Sequence, residues 1–216
     1  MRNHGLSIVL AAFFLFFFAL QSVFGMKEYN ADRRQHGAPE VGYASYLTTG
    51  HFMEAVGENW ESEFLQMAAY VFLTVYLYQK GSAESKKPDG PSPEDEDPRK
   101  HAKDPKAPWP VRRGGAILRL YEHSLAGALL LLFLLSFALH AAGGYRLYLE
   151  EELEQGNAAP TFGDYFGGSR FWFESMQNWQ SEFLAVLAIV VLSIFLRQRG
   201  SPESKPVAAA HDETGH

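Results

Sequence analysis

The residues of this chain best able to do chemistry are two glutamates in nearly identical surroundings. NWESEFLQ at 59–66 and NWQSEFLA at 178–185 set Glu63 and Glu182 at the mouths of two apolar runs. An ionisable group at the edge of a nonpolar segment can hold a proton or a cation where water is scarce, which makes it a candidate site. A structural reading competes with that one. Asn59 and Asn178 would cap the helices that follow, Trp60 and Trp179 would anchor them at interfacial depth, and the glutamates would sit in the first turn, where negative charge suits the helix dipole.

Further polar residues extend the candidate site. Glu63, Tyr70 and Thr74 are seven and eleven residues apart and share one helical face, a stripe suited to lining a polar path. The second copy keeps it in part, as Glu182, Ile189 and Ser193; Thr74 and Ser193 are equally suited to bonding back to their own helix. His140 and its counterpart Gln21 fall at the depth of the glutamates, so a contact between Glu182 and His140 would create a group that changes charge near neutral pH. His4 and His123, at the opposite ends of their spans, are weak candidates for holding haem or a metal, because histidines on facing helices can ligate either.

Other chemistry has little support. The chain has no cysteine, which removes disulfides and thiolate metal sites. It has no GxGxxG, Walker, HExxH or GxSxG pattern. The expectation is a noncatalytic protein with no resident cofactor or metal. A formal charge of -6 argues against a dedicated nucleic-acid binder.

The elements that must position these residues are apolar blocks. Residues 6–25 carry no charge, and neither do 124–144 if His140 is neutral; each is about the 20 residues that a helix needs to cross a hydrocarbon core. Runs at 64–78 and 183–196 are shorter and need polar ends at the interface, local thinning of the bilayer, or shielding by self-association. The expected partners are therefore the lipid bilayer and, compatibly, further copies in a homo-oligomer.

Sliding the chain against itself by 119 residues aligns 29 identities over the 83 positions from 4 to 86, without a gap. Because the first span matches an internal one, it is expected to be a retained helix rather than a cleaved leader. The expected fold is an all-α membrane protein with four transmembrane helices, built from two tandem helical hairpins of the same orientation. The first hairpin covers 1–86, with spans at about 6–25 and 62–79. A flexible, charged, Pro-rich linker comes next at 87–113, on the cytoplasmic side. The second hairpin covers 114–205, with spans at about 120–144 and 181–197, and 206–216 is a disordered tail. The outer loops should form short interfacial helices broken at Gly42, Gly50, Gly163, Gly167 and Gly168.

At the two NWxSEFL motifs and the trailing QKGSAESK and QRGSPESK segments, the chain resembles a family of small bacterial integral membrane proteins classed only as a domain of unknown function. The resemblance implies a bacterial inner-membrane location and supplies no catalytic residues. Three roles fit: a noncatalytic envelope or docking component, which is the leading expectation; an ion, proton or solute carrier or channel with Glu63 and Glu182 in an outer vestibule; and a haem or quinone protein using His4 and His123.

Ten Lys/Arg lie in 80–119 against three in 26–62 and two in 145–181, so the positive-inside rule puts the central segment and both termini in the cytoplasm. Arg2, Arg197, Arg199 and Lys205 agree. Reporter fusions at residue 95 and at the C-terminus should read cytoplasmic, and fusions near 35 and 155 external; an external residue 95 would refute this orientation.

Overall fold

A computed structural model describes residues 3–90 and 92–215; Arg2 lies outside them. All regular structure among the described residues is helical. In chain order the α-helices are α1 (Gly5–Gln35), α2 (Tyr43–Tyr46), α3 (Gly50–Tyr76), α4 (Trp109–Arg113), α5 (Gly115–Glu122), α6 (Ser124–Glu154), α7 (Phe162–Phe166) and α8 (Ser169–Phe195). Each of α1, α2 and α3 begins 119 residues before its counterpart among α6, α7 and α8.

Among the described residues three helices, α1, α6 and α8, are long and apolar enough to cross a membrane. Their large side chains, from Leu6 to Phe24, Leu125 to Leu135 and Phe183 to Phe195, are mostly exposed, which in water would be a heavy liability and in lipid is the expected arrangement. The second of the four expected spans is not among them: in α3 the polar Gln66, Tyr70 and Thr74 dilute a short apolar run.

The long helices do not stop where their apolar runs stop. α1 and α6 continue through charged residues to Gln35 and Glu154, about ten residues past the expected ends at 25 and 144. Gly37 and Gly156 then terminate them at φ 72° and 78°, each followed by an amide that reaches back five residues, Ala38 to Arg33 and Asn157 to Glu152. This is the usual glycine stop, in which the left-handed residue lets the last carbonyls find donors. At the other boundary α3 and α8 start at Gly50 and Ser169, not near 62 and 181. Most of the expected outer loops is therefore helix. Likewise, the expected span at 120–144 is interrupted at His123, which ends α5 before α6 begins.

The chain divides into two compact units. The first comprises Met1–Asn59 and Ser136–Glu174. Tyr29, Tyr46 and Leu147 form one buried aromatic cluster in it, and Ala141, Tyr165 and Phe171 another. α2 and α7 exist to deliver Tyr46 and Tyr165, each 1% exposed; α7 is held by a capping box between Thr161 and Asp164. The two tyrosine hydroxyls lie against Gly25 and Gly144, where any Cβ would collide with them.

Within this unit α3 and α6 cross in backbone contact. A Cβ on Gly143 would lie 2.5 Å from the Glu54 amide nitrogen, and one on Gly50 2.6 Å from that of Leu147. A Cβ on Gly57 would meet the His140 backbone. Only glycine allows this approach, as in tightly crossing membrane helices.

The second unit comprises Trp60–Leu135 and Ser175–His216. Here both QxGSxESK segments make the same turn: the Gln79 and Gln198 amides each donate to a serine hydroxyl six residues on, Ser85 and Ser204, at 2.9 Å. The segment expected to be a disordered tail packs against this turn instead. Lys205 is 1% exposed, and its Nζ donates to the carbonyls of Ala210, His211 and Glu213, while Gly81 N–H donates to Thr214 Oγ1 at 2.8 Å. Composition favours disorder here, but a buried ammonium with three carbonyl acceptors ties the segment down. In the expected linker, Pro93–Asp95 and Pro98–His101 form single 3-10 turns, and Lys86 pairs with Asp95 at 2.6 Å.

The crossing yields a packing prediction. Gly57→Ala and Gly143→Ala should each lower stability by about 1–3 kcal/mol or more, the usual cost of overpacking. Gly127→Ala, where nothing lies within 4 Å, should be neutral or stabilising by up to about 1 kcal/mol, because alanine is the better helix former. Thermal midpoints in detergent measure both, and equal midpoints for all three variants would contradict the backbone contact.

Candidate functional site

The α3–α6 crossing carries a polar cluster. On α3, Glu54 falls between Gly50 and Gly57 and so lies on the contact face. On α6, His140 is set by Gly57 packing onto its backbone, and its ring tilts over Phe171 with centroids 4.7 Å apart. α8 brings Arg170 and Glu174, one turn apart. Glu54 is 7% exposed and His140 is 0% exposed.

His140 Nε2 lies 3.5 Å from Glu174 Oε2. Arg170 Nε donates to the other oxygen, Glu174 Oε1, at 3.1 Å, and Tyr165 Oη reaches Oε2 at 3.5 Å. Arg170 turns both its Nη1 and Nη2 to the Glu151 carboxylate, the second at 3.3 Å. Glu54 Oε1 is buried and accepts no hydrogen bond; Arg170 Nη2 stands 3.8 Å away. Three carboxylates thus face one guanidinium and one imidazole. Glu54, His140 and Glu174 each present a ligand atom within 4.8 Å of the others.

Glu54 lies ten residues ahead of the apolar run that starts at Phe64. Burial, helped by the Glu174 charge, pushes its carboxyl up from 4.5 to about 7, against the opposing pull of Arg170. A carboxylate at such a place passes between neutral and charged forms near physiological pH.

The sequence-predicted residues fare differently. His140 is at the centre of the cluster, but it meets Glu174 rather than Glu182. Gln21 is exposed. Glu63 is exposed and Glu182 half-buried, and both belong to the second unit. Asn59 and Asn178 are nine residues inside α3 and α8 and cap neither; Asn59 Nδ2 donates to the Ala55 carbonyl at 2.7 Å. Glu63 and Glu182 are consequently far from a first turn, which removes the helix-dipole explanation. Trp60 is half-buried. Trp179 Nε1 donates at 3.1 Å to Glu61, which is fully buried and also accepts from Ser175 Oγ at 2.8 Å. Tyr70 Oη donates to Glu84 Oε2 at 3.0 Å, Thr74 bonds back to the Tyr70 and Val71 carbonyls, and Ser193 pairs with Ser82 at 2.9 Å. The stripe thus serves the packing of its own unit. His4 and His123 are exposed and belong to different units.

Sequence reasoning missed Glu54, Arg170, Glu174 and Glu61. In the 119-residue register their counterparts are Phe173, His51, Ala55 and Gln180, so a search for repeated residues passes over all four. The glycines at 50, 57, 143 and 144 were the available signal, since small residues on two helices mark where backbones meet.

The family model for a domain of unknown function, DUF6766, matches residues 1–216. The chain belongs to that family. No curated protein and no solved structure matches it.

The cluster predicts a pH signature. Because the Glu54 carboxyl is raised in the folded state, its contribution is fully present below about 4.5 and is lost as pH rises towards about 7. Glu174, Glu58, Arg170, His140 and Tyr165 are the charged or titratable groups that act on it. In chelator-treated buffer, Glu54→Gln should remove a pH-dependent loss on the order of 3 kcal/mol at most, seen as a flatter melting curve between pH 5 and 8. Parallel curves for variant and wild type would contradict it.

Proposed function

We propose that this chain is a noncatalytic, multi-pass protein of the bacterial inner membrane that binds a small cation at the Glu54–His140–Glu174 cluster. The observation that carries this reading is the charge imbalance: among the described residues, Glu54 and Glu174, with Glu151 at the rim and Glu58 acting on Glu54, face the Arg170 guanidinium around an imidazole with no exposed surface. Burying carboxylates in excess of their counter-ions is costly, and a bound cation or proton offsets that cost. The membrane setting is supported by the exposed apolar sides of α1, α6 and α8. α3 completes the proposal as a fourth span, the duplicated hairpin supplies its architecture, and the lysine and arginine distribution supports cytoplasmic termini with the cluster towards the outer side.

Passage of the ion across the membrane is the second reading. It is favoured by α3, which carries the buried Glu61, Ser62 and Gln66 along a helix proposed to span. Polar residues at that depth mark ion or proton paths.

The test is the thermal midpoint of the protein in nanodiscs, at fixed pH and ionic strength, against a panel of inorganic cations. At least one should raise the midpoint of the wild type and of the Glu63→Gln/Glu182→Gln variant, and leave Glu54→Gln unmoved. Identical midpoints across the panel would remove the binding role. Flux of the active cation into proteoliposomes separates passage from binding alone.

A further inference from the structure

We propose that the cation is a divalent transition-metal ion, held by Glu54 from α3, His140 from α6 and Glu174 from α8. This rests on the reading of the cluster as a cation site and narrows it to a ligand set and a metal class.

Two of the three donors already stand at ligand spacing. His140 Nε2 and Glu174 Oε2 are 3.5 Å apart; two donors so spaced, each about 2.1 Å from one ion, subtend about 110° there, close to the tetrahedral angle. The third ligand comes from Glu54, one oxygen of which lies within 4.8 Å of the other two donor atoms, so that closing on one ion draws this carboxylate inward. Its Oε1 is buried without a hydrogen-bond donor, a state that is expensive for a carboxylate oxygen and that metal coordination relieves.

The surroundings suit a metal site in two further ways. Arg170 holds Glu174 by Oε1 and fixes the carboxylate plane, the usual task of a group behind a metal ligand, while Oε2 faces His140 Nε2 and takes a long 3.5 Å contact from Tyr165 Oη. Arg170 is itself held by Glu151, so the guanidinium is tied on the side away from His140. The charge also has the right sign: with a neutral imidazole, the acids around Arg170 outnumber it, and a divalent ion offsets more of that excess than a monovalent one.

The donor set selects among divalent ions. Calcium takes six to eight oxygens and magnesium keeps most of its water, so neither has use for an imidazole in an enclosed site. One imidazole and two carboxylates suit manganese, iron, cobalt or zinc.

The experiment uses the full chain in nanodiscs, stripped with EDTA and titrated with Mn2+ under electron paramagnetic resonance and with Co2+ under visible absorption. One ion per chain is expected, with nitrogen coupling from an imidazole, competed by Zn2+ and not by Mg2+ or Ca2+ in excess. Glu54→Gln and Glu174→Gln should each weaken binding at least tenfold, and His140→Gln should abolish the nitrogen coupling. A His4→Gln/His123→Gln variant should bind as wild type. Absence of stoichiometric binding to the folded wild type overturns the proposal, as does binding that survives both glutamate substitutions. If no transition metal binds and yet Glu54→Gln removes the effect of another cation, the metal assignment fails while the cation role stands; if Glu54→Gln removes nothing, both fail.

Discussion

The backbone contact between α3 and α6 governs the arrangement of the first unit. Gly50, Gly57 and Gly143 bring the two helices so close that a single methyl group at any of them would strike main-chain atoms. Main-chain atoms cannot swing aside as a side-chain tip can, so the contact fixes the register of the helices as well as their distance. With the register set, Glu54 and His140 have no alternative neighbourhood. The same closeness removes water from around them, leaving both almost wholly buried. Sequence, packing and chemistry are thus joined at three glycines.

Enclosing charge at this crossing creates an electrostatic problem that Arg170 solves only in part. Its guanidinium reaches Glu151, Glu174 and Glu54, and one positive charge cannot balance three negative ones. Buried ion pairs rarely stabilise a fold relative to well-packed apolar residues. The aromatic clusters around Tyr46 and Tyr165 already supply apolar packing in this unit, so stability alone gives no reason to keep Glu54 beside Glu174. The cation proposed for this site would give one. The surplus acidity, the fully buried imidazole and the raised Glu54 carboxyl are three consequences of the same enclosure.

Much of the architecture was legible before any coordinates. Uncharged runs such as LSIVLAAFFLFFFALQSVFG announce helices of membrane length, and α1, α6 and α8 occupy three of the four expected places. Helix ends were less legible. Hydropathy reports where lipid ends, and α1 and α6 continue past that point through Lys27–Gln35 and Tyr145–Glu154, residues that form helix well and pair with one another, as Arg33 does with Glu150 at 2.5 Å. Mistaking the end of a hydrophobic run for the end of a helix turned Asn59 and Asn178 into caps. The site was the least legible part: a repeated motif advertises what both halves share, whereas Glu54, Arg170 and Glu174 occur in one half only. Only His140 linked the two views, because its place near the outer end of a span was readable while its burial and its partner Glu174 were not.

The polar stretches on either side of the apolar runs are packed helix, locked by the glycine crossing, and they enclose the acidic cluster. Hydrogen–deuterium exchange of the chain in nanodiscs tests this most directly. Amides at 26–35, 50–61 and 143–154 should exchange slowly, on the timescale of the lipid-buried spans, and the connection at 37–42 fast. Rapid exchange through all three stretches, as in water-exposed loops, would contradict the crossing and with it the enclosed site.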